Sequence, residues 1–361
     1  MSIIKEELLE IKEKYGEERR TEIIEDFTSL SIEDMIAEEE MVLTITHNGY
    51  IKRTSLSTYR SQRRGGRGVQ GASSREEDFV EHLFVANTHS YILFFTDKGK
   101  CYWVKVYDIP EGGRAAKGRA IVNLIGCEPD EKVSAFISVK EFNEDHYVVM
   151  ATEKGMVKKT KLSAYSNPRK KGIYAVEIRD GDKLIEARVS TGDNDILLGT
   201  RNGKSIRFSE EQIRASGRKT MGVKGITLSS EDDRLVGMLL IKREGTVLVA
   251  TEKGFGKRTE ISQYRAQKRG GKGVLTMKTT DKVGKMVTIK EVVDKDDLMI
   301  ITNQGVLIRL PVAQIRSIGR ATQGVKLIKL GDGTLVSSIT RIMSEEEEDE
   351  NNNTEPTDPK E

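Results

Sequence analysis

The sequence predicts an all-β ring of six repeated sheet-forming units, preceded by a short helix and followed by an acidic tail. Three observations carry this expectation. A Thr-x-x-Gly follows an apolar, β-rich run six times: Thr46 to Gly49, Thr96 to Gly99, Thr152 to Gly155, Thr200 to Gly203, Thr251 to Gly254 and Thr302 to Gly305. These turn glycines stand 50, 56, 48, 51 and 51 residues apart, the near-constant period of a repeat array. A second glycine, at 68, 118, 172, 222, 273 and 324, follows 19 residues later in every unit but the third, where the interval is 17.

Taken in order, the chain opens with apolar residues at Ile4, Leu8, Ile11 and Tyr15, set among Glu6, Glu7, Lys12 and Lys14. That spacing is one stripe of an amphipathic helix, interrupted by Gly16 and continued by Ile23 and Ile24, and its partner is expected in another domain or chain. Residues 25–40 read as an acidic linker with a short helix at Ser31 to Ala37. Residues 1–40 thus form one segment, residues 41–343 the repeat body, and residues 344–361 a tail with no apolar content to bury, expected to be disordered.

Within each unit, short strands such as Val42 to Ile45 and Ile92 to Phe95 precede the Thr-x-x-Gly, and more strands follow it. The motif is therefore a hairpin turn with glycine in the left-handed position. Four residues past the turn glycine stand Arg53, Trp103, Lys159, Arg207, Arg258 and Arg309, five of the six cationic. Ten residues past it stand Tyr59, Ile109, Tyr165, Ile213, Tyr264 and Ile315, each able to anchor a loop in a core. Units of about 50 residues with a few short strands bury too little apolar surface to fold alone, so they must pack side by side. Closing them into a ring sets corresponding loops on one rim.

Charge follows the same register. The net charge of +2 divides into −9 for residues 1–40, −8 for residues 344–361 and +19 for the body between them. Between anchor and second glycine each unit is basic: Arg63, Arg64 and Arg67; Arg114 and Lys117; Arg169, Lys170 and Lys171; Arg214, Arg218 and Lys219; Lys268, Arg269 and Lys272; Arg316 and Arg320. A recurring cationic band without a second set of polar groups suits phosphate contact. It would position duplex DNA without reading its sequence. Bending a duplex around such a body costs several kcal/mol by elastic estimates and needs many contacts along the path.

Other classes are excluded more briefly. Cys101 and Cys127, 26 residues apart, have no ligand-spaced companion, which argues against a zinc site or a disulfide framework and fits a reducing cytoplasm. No stretch approaches the roughly 18 apolar residues of a membrane span, and Lys5 and glutamates stand where a signal peptide would be apolar. There is no Walker loop, acidic metal cluster or nucleophile–base pair, and His47, His82, His89 and His146 are scattered. Trp103 replaces a cation and reads as blade packing rather than base stacking. A propeller serving as a protein-interaction platform is the rival reading, but no Gly-His or Trp-Asp pair marks the units.

Residues 62–68, Gln62, Arg63, Arg64, Gly65, Gly66, Arg67 and Gly68, form a flexible cationic loop and resemble the gyrase-A box. The six-fold repeat around them resembles the C-terminal domain of DNA gyrase A, a type IIA topoisomerase component, and residues 11–21 resemble the end of that protein's cleavage core. The resemblance implies a six-bladed β-pinwheel, a propeller-like closed ring with strands exchanged between neighbouring blades. It implies a non-catalytic domain that wraps DNA on its outer edge and supports ATP-dependent negative supercoiling, with the box needed for wrapping and ring closure.

It implies as partners double-stranded DNA, the gyrase A core and gyrase B, a nucleoid-associated cytoplasmic location and no membrane. The isolated domain is expected to be a monomer without a cofactor, ATP and Mg belonging to the whole enzyme. Unit five carries a near copy, Gln267 to Gly273, and the box is assigned to unit one because the family places it there. Topoisomerase IV, the alternative, has a related domain with a degraded box. No tyrosine here stands in the Arg-Tyr-Thr-Glu context of the family's cleavage residue. The charge opposition of tail and body suggests that the tail competes with DNA for the rim: deleting residues 344–361 should strengthen DNA binding at low salt, and an unchanged affinity removes the idea.

Overall fold

A computed structural model describes residues 2–17, 33–46, 48–55, 80–113, 116–128, 130–242, 244–304, 307–331 and 333–342. It divides into two compact units, Met1–Ala37 and Glu38–Glu361. In the first, helix α1 (Ser2–Tyr15) ends where the Gly16 amide bonds the Lys12 carbonyl at 2.8 Å, and the predicted stripe of Ile4, Leu8, Ile11 and Tyr15 is exposed. The expected short helix at Ser31 to Ala37 is a single 3-10 turn, Glu33–Met35. The sequence-predicted continuation at Ile23 and Ile24 lies outside the described residues, as do the box and the acidic tail.

The second unit is six antiparallel sheets in chain order. The fifth shows the plan. Its leading strand Thr246–Thr251 turns into Phe255–Glu260, while Met286–Val292 returns to pair with the other side of the leading strand. Leading strands are buried on both faces because alternate side chains enter different cores. Leu93 and Phe95 face sheet three, with Val148, Met150 and Tyr165, whereas Ile92 and Phe94 face sheet one, with Met41, Leu43 and Ile51. Sequence-continuous apolar runs such as Ile92 to Phe95 follow from this double burial.

The turns form as expected. In the five described Thr-x-x-Gly turns glycine has φ between 76° and 82°, and its amide bonds the threonine carbonyl at 2.9–3.0 Å. In units one to four the threonine hydroxyl also accepts the amide that restarts the hairpin, at 3.2–3.3 Å. Threonine thus satisfies two amides that the turn would orphan.

The exchange of strands between neighbouring units, which the resemblance implies, is present. After the basic loop each of units two to six makes a two-residue strand, and that strand pairs with the sheet of the preceding unit. Arg119–Ala120 joins Tyr50–Ser55, Ile173–Tyr174 joins Lys100–Lys105, Val223–Lys224 joins Met156–Lys161, Val274–Leu275 joins Lys204–Ser209 and Val325–Lys326 joins Phe255–Glu260. Five sheets are four-stranded, whereas sheet six has three strands among the described residues. Its closing strand Val336–Ile342 lies near Val80–Asn87 of unit one, bringing the last blade back to the first.

In units two to six the second glycine stands immediately before this crossing strand. At Gly222, φ is 77° and a Cβ would sit 2.3 Å from the Val157 carbonyl oxygen of the neighbouring sheet. Both the dihedral and the space exclude a side chain. Replacing Gly222→Ala should cost roughly 1–3 kcal/mol in urea unfolding, whereas Gly217→Ala, with nothing within 4 Å, should stay within about 0.5 kcal/mol.

Candidate nucleic-acid interface

Each described sheet from one to five runs from a closing strand inside, through the hairpin, to a crossing strand outside. Consecutive closing strands neighbour one another, so the loops leading into the crossing strands lie at the outer edges. There Lys117, Arg169, Lys170, Lys171, Arg214, Lys219, Lys268, Lys272 and Arg316 are exposed. The Lys117 ammonium stands 4.0 Å over the Tyr50 ring of the preceding sheet. Arg63, Arg64 and Arg67, with the rest of residues 62–68, and Arg114 lie outside the described residues.

Arg218, Arg269 and Arg320 differ, being half-buried. The Arg269 guanidinium donates to the Gln212 carbonyl at 2.9 Å and the Lys224 carbonyl at 3.1 Å. Arg320 donates to the Leu275 carbonyl at 3.0 Å and lies 5.9 Å from the Tyr264 ring. Arg269 and Arg320 tie one unit's loop to the crossing strand of the unit before it.

The anchors behave as the spacing requires, with Ile109, Tyr165, Ile213, Tyr264 and Ile315 all buried and Tyr59 outside the described residues. The residue four past the turn glycine is a clamp between units. Arg53 Nε donates to the Ile109 carbonyl at 2.7 Å, Arg207 Nη1 to Tyr264 at 3.2 Å and Arg258 Nε to Ile315 at 2.7 Å. Trp103 fills the same role, its indole N–H donating to the Tyr165 carbonyl at 2.8 Å. What the position needs is an N–H donor long enough to reach the next anchor, which explains a tryptophan among cations. Lys159 instead forms a buried pair with Glu210 at 3.3 Å.

One set of residues escaped the sequence reading. Three residues past the turn glycine, units one, three and five carry Lys52, Lys158 and Lys257, all buried. Burial, with Arg218 beside it and Glu177 opposing, pulls Lys158 down to about 7. Burial and then Arg320 pull Lys257 down to about 8. The signal was present as a lysine recurring in every second unit.

Among the described residues no group of three or more His, Cys, Asp or Glu side chains could hold a metal, and no helix is long and apolar enough to cross a membrane. Six sheets exchanging crossing strands, with basic loops along their outer edges, define a strand-swapped propeller of the β-pinwheel class.

The chain belongs to the DNA gyrase C-terminal domain family: the family model described as "DNA gyrase C-terminal domain, beta-propeller" matches residues 40–87, 90–140, 146–191, 194–242, 245–292 and 296–341, one segment per sheet. The A subunit of DNA gyrase from Staphylococcus epidermidis (strain ATCC 12228 / FDA PCI 1200) is 47% identical over 351 residues, 96% of this chain and 39% of that protein. Its counterpart from Staphylococcus aureus (strain COL) is also 47% identical, over 96% of this chain and 40% of its own length. The chain therefore spans about two fifths of these curated relatives.

Among solved structures, the C-terminal domain of DNA topoisomerase IV superposes with a TM-score of 0.75 at 26% identity, covering 88% of this chain and 97% of that one. A DNA gyrase A C-terminal domain gives 0.68 at 24%, covering 84% and 100%, a likeness of fold.

Trp103→Phe, which keeps an aromatic ring but removes the donor, should cost about 1–2 kcal/mol in denaturant unfolding by orphaning the Tyr165 carbonyl. Trp103→Arg, which restores a donor as in the other units, should lose less; the reverse order would mean that packing alone sets the position.

Proposed function

We propose that the six-sheet body binds duplex DNA through its phosphates and bends it around the outer edge, as the non-catalytic wrapping part of a gyrase. The observation that carries this reading is the recurrence of exposed cations on the outer loops of successive units. None of the described loops offers a groove-sized set of base-reading side chains, and spaced cations on a curved edge are what backbone contact requires. ATP, Mg and the cleavage tyrosine belong to the rest of the enzyme, whose gyrase A core and gyrase B are the protein partners. The domain works as a monomer in the cytoplasm, on the nucleoid.

Residues 62–68 are assigned the part that the family resemblance implies for them, in wrapping and in closing the ring. In units two to six the second glycine faces the carbonyl two residues past the turn glycine of the preceding unit. The outer strand Leu307–Pro311 has no crossing strand among the described residues. Arg309, 63% exposed and held by Asp297, stands at the clamp position of the last sheet. Arg63, Arg64 and Arg67 are assigned to phosphate contact with the other loop cations.

Binding to a duplex should weaken steeply with salt, with a log–log slope of roughly −0.9 per phosphate contacted. Relaxation of closed-circular DNA by a separate topoisomerase should yield a changed linking number in the presence of this chain, lost when residues 62–68 are replaced by alanine. Salt-sensitive binding with an unchanged linking number would leave a DNA-binding ring and remove the wrapping.

A further inference from the structure

The sheets alternate in kind. Three residues past the turn glycine, units one, three and five have Lys52, Lys158 and Lys257; units two, four and six have Tyr102, Ile206 and Ile308. The anchors alternate in step, Tyr59, Tyr165 and Tyr264 against Ile109, Ile213 and Ile315. The loops of the even units share a further pattern, Gly-Arg-x-x-x-Gly, at 113–118, 217–222 and 319–324. The repeat is therefore two blades long, three times over.

The structure joins these features. Lys52 Nζ donates to the Gly113 carbonyl at 3.1 Å. Lys158 Nζ donates to the Ala175 carbonyl at 2.7 Å and to the Arg218 carbonyl. Lys257 Nζ donates to the Gly319 carbonyl at 2.7 Å, to the Arg320 carbonyl, and to the carbonyl and hydroxyl of Thr322 at 3.4 and 3.1 Å. Each buried head group thus takes a carbonyl of the Gly-Arg pair in the next unit's loop. The hydrogen-bond acceptors of Lys158 and Lys257 are carbonyls and a hydroxyl, not carboxylates.

Burying lysine without a carboxylate partner opposes stability, so a hydrophobic residue, as at Ile206, would pack at less cost. What the lysine supplies is direction. A loop facing phosphates is repelled by its own outward carbonyl oxygens, and a cation beneath it turns those oxygens inward. The neighbouring odd unit also sets the arginine, Arg320 being held by the Leu275 carbonyl and the Tyr264 ring.

We propose that Lys158 and Lys257 are positioning residues for DNA binding: without touching DNA, they lock the Gly-Arg turns of units four and six with their carbonyls inward, and Lys52 holds the Gly113 carbonyl in the same register. This rests on the DNA-binding reading above. Amide exchange and DNA titration on Lys158→Met and Lys257→Met test the two separately. Exchange should rise about tenfold at 217–222 in the first variant and at 319–324 in the second, with the opposite loop unchanged. Affinity for a duplex should fall several-fold with the salt slope unaltered, because no phosphate contact is lost.

A slope reduced by about one in each variant would make the lysines phosphate ligands and overturn the proposal. Unchanged exchange in the loops would overturn it too, leaving only packing. Should the Met variants not fold, the native chain decides: the locked loops 217–222 and 319–324 must exchange more slowly than residues 166–171, whose neighbouring sheet has Tyr102 in place of lysine. Absence of DNA binding by the native chain would remove the functional reading while the exchange result still judged the lock.

Discussion

The structure depends on one close approach, a glycine in the left-handed region pressed against the main chain of the preceding sheet. At Gly118, Gly222 and Gly273 a Cβ would lie 2.3–2.4 Å from a carbonyl oxygen of that sheet. Because the chain can come this near, the next two residues complete their neighbour's outer edge. The same approach lets the turn glycine's carbonyl accept the following amides, as Gly203 does from Thr276 at 2.8 Å and Met277 at 3.0 Å. Each of sheets one to five is thus finished by the next unit, and a unit between them cannot leave without exposing two edges. Cooperativity around the body follows from this mutual completion rather than from any single core.

The crossing strand also decides which cations face outward. A loop of about ten residues must run from the buried anchor to the glycine, and both ends are fixed on the preceding sheet. The side chains between them divide accordingly. Lys170 and Lys171 stay in solvent, whereas Arg269 and Arg320 turn back to bond carbonyls, and Arg53, Arg207 and Arg258 lie deeper as clamps. The excess of +19 in the body therefore overstates the charge free to meet a polyanion. A fixed, half-buried arginine still contributes to the field along the edge, and at no further loss of side-chain freedom on binding.

Much of this was legible in the sequence. The Thr-x-x-Gly turns, the anchors and the second glycine all recur at fixed offsets because each answers a local demand, a left-handed residue, a buried side chain or an absent Cβ. The strand exchange was not readable from spacing: a two-residue strand such as Val223–Lys224 is too short to show alternation, and its partner Met156–Lys161 lies more than 60 residues earlier. The family resemblance supplied it instead. The clamp column showed only as recurring charge for a related reason, since Arg258 and its acceptor Ile315 are 57 residues apart. Only Trp103, the exception in the column, hinted that donation and not charge is what the units share.

The alternation of lysine and apolar residues divides the interfaces between units into two kinds. Six identical blades would give six identical interfaces, whereas here interfaces with and without a buried lysine take turns. An odd sheet holds the next loop by a buried head group with several acceptors, as Lys257 does. An even sheet meets the next loop through side chains such as Ile206, whose Cδ1 lies 3.4 Å from the Cβ position of Gly271. Hydrogen bonds fix direction and contact between an isoleucine and glycines does not, so the two kinds of interface differ in how far they can yield. The difference is one of degree, because the even interface keeps its own hydrogen bonds, Arg207 to the Tyr264 carbonyl and Arg269 to the Gln212 and Lys224 carbonyls, and what the odd interface adds is a buried head group beneath the loop.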